Sequence, residues 1–267
     1  QLPQNGRKLL ATGGGRCNLT NTADVNAFMA SFGRQGRFMT QALRSLDSDG
    51  LRAFFNELGA ETICPDGVRV YPASQKATTV FDALLHACKS AGVEIRNGWE
   101  AKRLLVEGET VIGVATDRGD IRARSVVLAC GGKSYPELGA TGSGYELAAG
   151  AGHRIVQPIP ALVPLVTRES WPARCAGVSL RDARLRIDLP KRPHAGFRGE
   201  LLFTHRGLSG PAVLDLSGDV SALLAGGGEV PLRLSLLGDM SPAAWRETVS
   251  DRRTIAGAAV LGRLLSE

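Results

Sequence analysis

The sequence predicts an α/β domain followed by a smaller β-rich one, and three stretches carry that expectation. Ser125-Val126-Val127-Leu128-Ala129-Cys130 is an uninterrupted apolar run that stops at Gly131-Gly132, the pattern of a strand covered on both faces in a parallel sheet. Ahead of it, Ala77, Val80, Phe81, Leu84, Leu85 and Cys88 recur at i, i+3, i+4, i+7, i+8 and i+11, which places one apolar stripe on a helix. After Pro158, Pro160 and Pro164 the texture changes to short alternating runs such as Ala183-Arg184-Leu185-Arg186-Ile187-Asp188-Leu189, which read as half-exposed antiparallel strands.

Taken in order, the chain opens on a glycine loop. Gly13-Gly14-Gly15 stands between the cationic Arg7, Lys8 and Arg16 and the small polar Thr12, Asn18, Thr20 and Asn21. Three glycines pack nothing, so they belong where the backbone needs φ > 0 or where another group must come close. An acceptor-rich anion fits these neighbours; a basic surface turn is the alternative. A short helix is expected over Ser48–Leu58, with Ser48 as cap and Gly59 as stop. Pro65-Asp66-Gly67 then turns a hairpin between Thr62–Cys64 and Val68–Tyr71. The striped helix covers Ser74–Ala91, and Val93-Glu94-Ile95 reads as a strand. Ala101–Val106, Val111–Thr116 and Ile121–Ala123 form a meander broken by Glu107-Gly108-Glu109 and Arg118-Gly119. Helix, meander, buried strand and Gly-Gly together form the signature of an α/β nucleotide fold with an antiparallel crossover. A helix is expected over Gly144–Ala151, and another begins at Ser241-Pro242, where a cap precedes proline.

Composition narrows the function classes. With 267 residues, 43% of them hydrophobic, the chain can bury a substantial core. The net charge of +6 suits an anionic partner, yet the Lys and Arg residues are spread without a dense run, and aromatics make up only 5%. Nucleic acid is therefore not the expected partner. Five widely spaced cysteines without a CxxC pair fit a reducing cytoplasm and no metal site. No apolar run approaches the roughly 18 residues of a membrane span, and no signal peptide is read at Gln1.

The motifs are partial. Gly13-Gly14-Gly15-Arg16-Cys17-Asn18 and Gly142-Ser143-Gly144-Tyr145-Glu146-Leu147 each miss the last glycine of G-x-G-x-x-G. Gly131-Gly132 ends a strand, where ligands of open α/β sheets sit; a plain tight turn is the competing reading. Glu200-Leu201-Leu202-Phe203-Thr204 runs into His205, Arg206 and Ser209, which are expected where strand meets helix, with a surface or capping role as the alternative. Among the other histidines, His86 and His153 read as structural and His194 as solvated. Cys17, beside Arg16, reads as a small packed residue facing the ligand, with redox activity as the alternative. H-E-x-x-H, G-x-S-x-G and Walker patterns are absent, which argues against zincin, serine-hydrolase and P-loop chemistry.

Together, Gly6-Arg7-Lys8, Thr12–Asn21, Arg69-Val70-Tyr71-Pro72-Ala73-Ser74, Ala129–Gly132 and Leu202–Pro211 resemble bacterial NAD(P)/FAD-dependent oxidoreductase flavoproteins, a group that includes aminoacetone oxidases and bile-acid-modifying reductases. The resemblance implies a two-dinucleotide-binding FAD domain over 1–157, incomplete, an inserted β-barrel-like domain over 158–237, and the start of a small helical insertion over 238–267. It implies that Arg7, Lys8, Thr12, Gly13, Gly14, Gly15, Arg16, Cys17 and Asn18 line FAD, that Ala101 meets the adenine, and that Gly131 and Gly132 lie by the cofactor. His205, Arg206 and Ser209 become substrate-side candidates in the inserted domain.

In that family the opening strand–G-x-G-x-x-G–helix unit would precede Gln1 and a glycine-rich closing segment would follow Glu267, so the chain is expected to be an internal fragment. The implied reaction is hydride transfer between a small organic substrate or NAD(P)H and flavin, with Arg16 and Lys8 stabilising the reduced, anionic flavin. No general acid or base is assigned. An inert remnant and a basic nucleic-acid- or nucleotide-binding module are the other readings.

Overall fold

The structure is a computed structural model that describes residues 4–236 apart from 191, together with a few positions between 243 and 250. Of the helix expected from Ser241 and of the helical insertion, only Ala243, Ala244, Arg246, Glu247 and Ser250 are described, and they are helical; the rest lies outside the described residues. The chain divides into two compact units between Val156 and Gln157.

The first unit is helical at its start. Helix α1 (Arg7–Ala11) runs into a tight turn at Thr12–Gly15, and strand β1 (Thr20–Asn21) follows. Helices α2 (Val25–Ala30) and α3 (Thr40–Ser45) flank a 3-10 segment, Gly33–Met39. Asp24 caps α2, accepting from Asn26 N and Ala27 N at 2.8 and 2.9 Å. Helix α4 (Ser48–Glu57) forms where the sequence places it, but its cap is Asp47, whose carboxylate accepts from Gly50 N at 2.8 Å. Ser48 is drawn away from that role because its hydroxyl donates to the Asn21 carbonyl. Strands β2 (Thr62–Ile63) and β3 (Arg69–Pro72) make the expected hairpin, and β1 pairs antiparallel with the other edge of β3. Helix α5 (Ala77–Ser90) buries Ala77 and Val80 of its stripe against Phe55 and Ala60.

Strands β4 (Ala101–Glu107), β5 (Thr110–Thr116) and β6 (Gly119–Arg122) form the meander, and helix α6 (Ser143–Gly150) packs on β4. Two expected strands are overturned. Val93–Ile95 and Ser125–Cys130 are both irregular, and the latter has no ladder partner among the described residues, with Val127 86% exposed. Every strand pair among the described residues is antiparallel, so no parallel neighbour covers that apolar run here.

In the second unit, strand β7 (Leu165–Val166), helix α7 (Trp171–Arg174), and strands β8 (Ser179–Leu189), β9 (Arg192–Pro193), β10 (Phe197–Thr204) and β11 (Gly207–Ser209) precede helix α8 (Pro211–Leu224) and strand β12 (Leu232–Ser235). The sheet runs β12-β8-β10-β11-β7, with β9 paired to β8. It is an open half-barrel and not the β-barrel-like domain that the resemblance implied, because among the described residues β7 and β12 end the order without pairing each other. Leu180, Leu185, Leu201 and Phe203 face inward onto Val213, Leu216 and Val220 of α8. Among the described residues the one buried polar side chain there, Ser217, is satisfied: it donates to Leu214 O at 2.7 Å and accepts from Val163 N at 3.0 Å.

Because Leu216 is fully buried between helix and sheet, Leu216→Ala is expected to lower unfolding free energy by about 2–5 kcal/mol. Chemical denaturation checks this; a loss below about 0.5 kcal/mol, the surface range, would show that α8 is not packed on the sheet as described.

Candidate functional site

The glycine loop is a left-handed turn. Thr12 closes α1 by donating its hydroxyl to Leu9 O at 2.6 Å, and Gly13, Gly14 and Gly15 then take φ of 58°, 65° and 85°. Any L side chain would cost about 1–2 kcal/mol at each such position. Arg16 N and Cys17 N close the turn on Gly13 O and Thr12 O at 3.4 and 3.1 Å. A Cβ added to Gly14 would meet nothing within 4 Å, so this backbone faces open space. Cys17 does the opposite. Expected to face a ligand, its side chain is 5% exposed and packs with Phe55, Ala60, Ala77 and Val80.

Beyond the turn the chain is pinned to β3. Leu19 N donates to Val70 O at 2.8 Å, and the Asn18 amide, with its nitrogen turned toward the carbonyls, donates to Thr20 O and Val70 O at 2.9 and 3.1 Å. The β2–β3 turn holds β3 in place. Asp66 accepts from Val68 N and Arg69 N at 3.0 and 2.7 Å and pairs with the Arg69 guanidinium at 2.7 Å. These groups, led by the Arg69 backbone N–H, lower its carboxyl to about 2 from 3.8.

Two cations frame the turn. Arg16 donates to Gly13 O at 3.3 Å with its guanidinium 4.9 Å from the Tyr71 ring centroid. Lys8 donates to Ser134 O and Oγ at 2.5 and 3.0 Å, and its ammonium lies 5.0 Å from the Tyr135 ring. Through Lys8 the structure joins the triple-glycine turn to the segment beginning at Gly131, where a Cβ would again meet nothing within 4 Å. Among the described residues neither cation is paired with a carboxylate, whereas Arg69, Arg96, Arg122, Arg168, Arg198 and Arg233 all are. Arg7 is half-buried on α1. Ala101 opens β4 opposite Thr116 and lies outside this hydrogen-bonded set.

The remaining candidates belong to the second unit. His205 and Arg206 are the exposed two-residue tip of the β10–β11 hairpin, closed by the Thr204–Gly207 pair, and Ser209 pairs with Leu202. A strand therefore intervenes before the helix that the sequence placed directly after them. His194, expected to be solvated, is held on both ring nitrogens: Nδ1 accepts from Gly196 N at 2.9 Å and Nε2 meets Asp219 at 3.1 Å. Sequence reasoning missed Ser134 and Tyr135 altogether. Their position just past Gly131-Gly132 was the available signal.

Residues 1–253 match the HI0933-like protein Rossmann domain. The chain belongs to the HI0933-like Rossmann family. It is 33% identical over 91% of its length to a 3-dehydro-bile acid delta(4,6)-reductase of Clostridium scindens. It is 29% identical over 79% of its length to a ribosomal RNA dihydrouridine synthase of Haemophilus influenzae. The HI0933-like chain spans about half the length of these curated relatives, 58% and 52% respectively. Among solved structures it aligns with the open conformation of a flavocytochrome c3 fumarate reductase at 21% identity and a TM-score of 0.42, covering 67% of this chain and 39% of that one. Among the described residues no helix is long and apolar enough to cross a membrane and no side-chain group could hold a metal ion.

The depressed Asp66 carboxyl gives a pH signature. Its folded value lies below the unfolded one, so its stabilisation is present above about pH 3.8 and is lost as pH falls toward 2. Asp66→Asn is expected to flatten the acid limb of the unfolding curve between those values, as read by circular dichroism; identical limbs in variant and wild type would show that Asp66 does not hold the turn.

Proposed function

We propose that this protein is an FAD-dependent oxidoreductase, and that the surface joined by Lys8 is part of its cofactor site. The observation that carries the reading is that joined surface: two stretches of open glycine backbone, two cations without carboxylate partners among the described residues, and the exposed ring of Tyr135. Each part suits a piece of FAD. Left-handed glycines let an acceptor-rich group reach main-chain N–H donors, and Arg16 and Lys8 provide positive charge where an anion or a reduced ring would sit. Among the residues expected at the cofactor, Thr12, Gly13 and Asn18 serve by shaping the turn, and Cys17 by anchoring it. Gly14, Gly15, Gly131 and Gly132 supply the approachable backbone.

When bound, FAD supplies two-electron hydride chemistry. The chain's residues would hold and orient it. We infer a reductive direction with NAD(P)H as hydride source, because the names of both relatives describe reductions. The acceptor is an unsaturated organic molecule, and His205, Arg206 and Ser209 are the candidates to meet it. A second reading, with RNA as the acceptor, is supported by the dihydrouridine synthase relative.

Expressed from its full coding sequence, the protein is expected to purify yellow, to release FAD on denaturation, and to bleach anaerobically with NADH or NADPH. Gly14→Val is expected to weaken FAD binding at least about tenfold, or ~1.4 kcal/mol, by fluorescence titration. A colourless preparation that takes up no added FAD would falsify the reading.

Lys8→Met removes one of the unpaired cations, so the two-electron reduction potential of the FAD-loaded protein is expected to fall by roughly 30 mV, the equivalent of ~1.4 kcal/mol. Spectroelectrochemical titration checks this, and an unchanged potential would place Lys8 away from the ring.

A further inference from the structure

Among the described residues, three that are not glycine take a left-handed backbone: Cys17, Gln75 and Tyr135. For Cys17 the strain is offset by burial in the core, and Gln75 lies in a tight turn whose N–H reaches Pro72 O at 2.8 Å. Tyr135 caps the 3-10 turn Pro136–Leu138, its carbonyl accepting from Leu138 N at 2.9 Å, yet unlike Cys17 it buries no side chain in return. Its φ is 60°, its side chain is 63% exposed, and an aromatic in this region is an outlier. The same loop uses glycine at its other positive-φ positions, Gly131, Gly139 and Gly142. A glycine at 135 would relieve the strain. What tyrosine adds is a ring on the open side of the segment, with Lys8 5.0 Å from its centroid and Ser134 holding the Lys8 ammonium. Backbone strain kept at an exposed aromatic beside a ligand surface is the pattern of a pre-organised contact.

We propose that the exposed ring of Tyr135 packs directly on a planar, electron-poor heteroaromatic ring of a dinucleotide. The proposal rests on the flavin reading above and goes beyond it by naming the contact. Two sources share this ring chemistry, the isoalloxazine of FAD and the nicotinamide of an oxidised pyridine dinucleotide. Lys8, fixed by Ser134, sets the orientation of the tyrosine ring and keeps a positive charge beside it. The phenol hydroxyl is not needed for such packing, so Phe should replace Tyr.

The test uses protein from the full coding sequence and compares wild type, Tyr135→Gly and Tyr135→Phe in three measurements: denaturation midpoint, FAD affinity, and affinity of the FAD-loaded protein for NAD+. Tyr135→Gly is expected to unfold no earlier than wild type while binding about three- to tenfold more weakly in one of the two arms. Tyr135→Phe is expected to keep wild-type affinity. Weakening with FAD assigns the isoalloxazine, and weakening with NAD+ alone assigns the nicotinamide. Unchanged affinity in both arms overturns the proposal, as does a Tyr135→Gly protein whose midpoint drops in step with its affinity, because the tyrosine is then structural. A wild type that takes up no FAD overturns the flavin reading itself, and the proposal with it; a wild type that binds FAD while Tyr135→Gly binds both ligands equally well overturns the proposal alone.

Discussion

Cys17 carries its side chain into the cluster of Phe55, Ala60, Ala77 and Val80 with a backbone φ of 58°, and the geometry around the triple-glycine turn follows from that burial. A left-handed residue reverses the direction in which the chain presents its next side chain, so the turn before it must coil tightly to meet α1. Only glycine takes three such steps without a penalty of about 1–2 kcal/mol each. The turn thus exposes backbone on one side while its last residue is packed on the other. Hydrogen bonds from Leu19 and Asn18 to Val70 then extend this anchoring to β3, which is itself buried at Val70, Tyr71 and Pro72.

The second unit is built on a different principle. Its sheet curls over one helix, and its stability resides in the apolar layer between them. Charges populate the strand positions that alternate with the buried ones, where Arg198 pairs with Asp182 and Arg233 with Asp188. Exposed pairs of this kind contribute roughly 0–1 kcal/mol each, so they solubilise the face more than they hold it. The His205–Arg206 tip is free to vary because the hairpin register is already set by the Leu202–Ser209 and Phe203–Leu208 pairs.

Much of this fold was legible because local signals and tertiary burial agreed. The stripe of α5, the Pro65-Asp66-Gly67 turn and the glycine breaks of the meander each specify structure within a few residues. The helices around residue 30 were legible but unread: Asp24 is a cap, and Val25, Phe28 and Met29 stand at helical spacing behind it. Ser125–Cys130 misled for a physical reason. An apolar run reports which side chains can be buried, not which strand lies beside them, and among the described residues no ladder includes it. The direction of Cys17 was equally hidden, since a positive φ at a residue other than glycine leaves no mark in the sequence. Nor could spacing reveal the contact of Lys8 with Ser134, 126 residues away.

That long-range contact also shows how a cation at the turn is held without a carboxylate. A carboxylate beside Lys8 or Arg16 would fix the side chain as well as a carbonyl or ring does, but it would cancel the charge. Carbonyl oxygens, a serine hydroxyl and tyrosine faces orient a cation while leaving its field available. At an effective dielectric constant near 20, one uncompensated charge 4 Å from an anion is worth about 4 kcal/mol before desolvation, more than most single contacts in the chain contribute. Neutral partners thus hold Lys8 and Arg16 in place without cancelling their charge, as the proposed anion-receiving role would require.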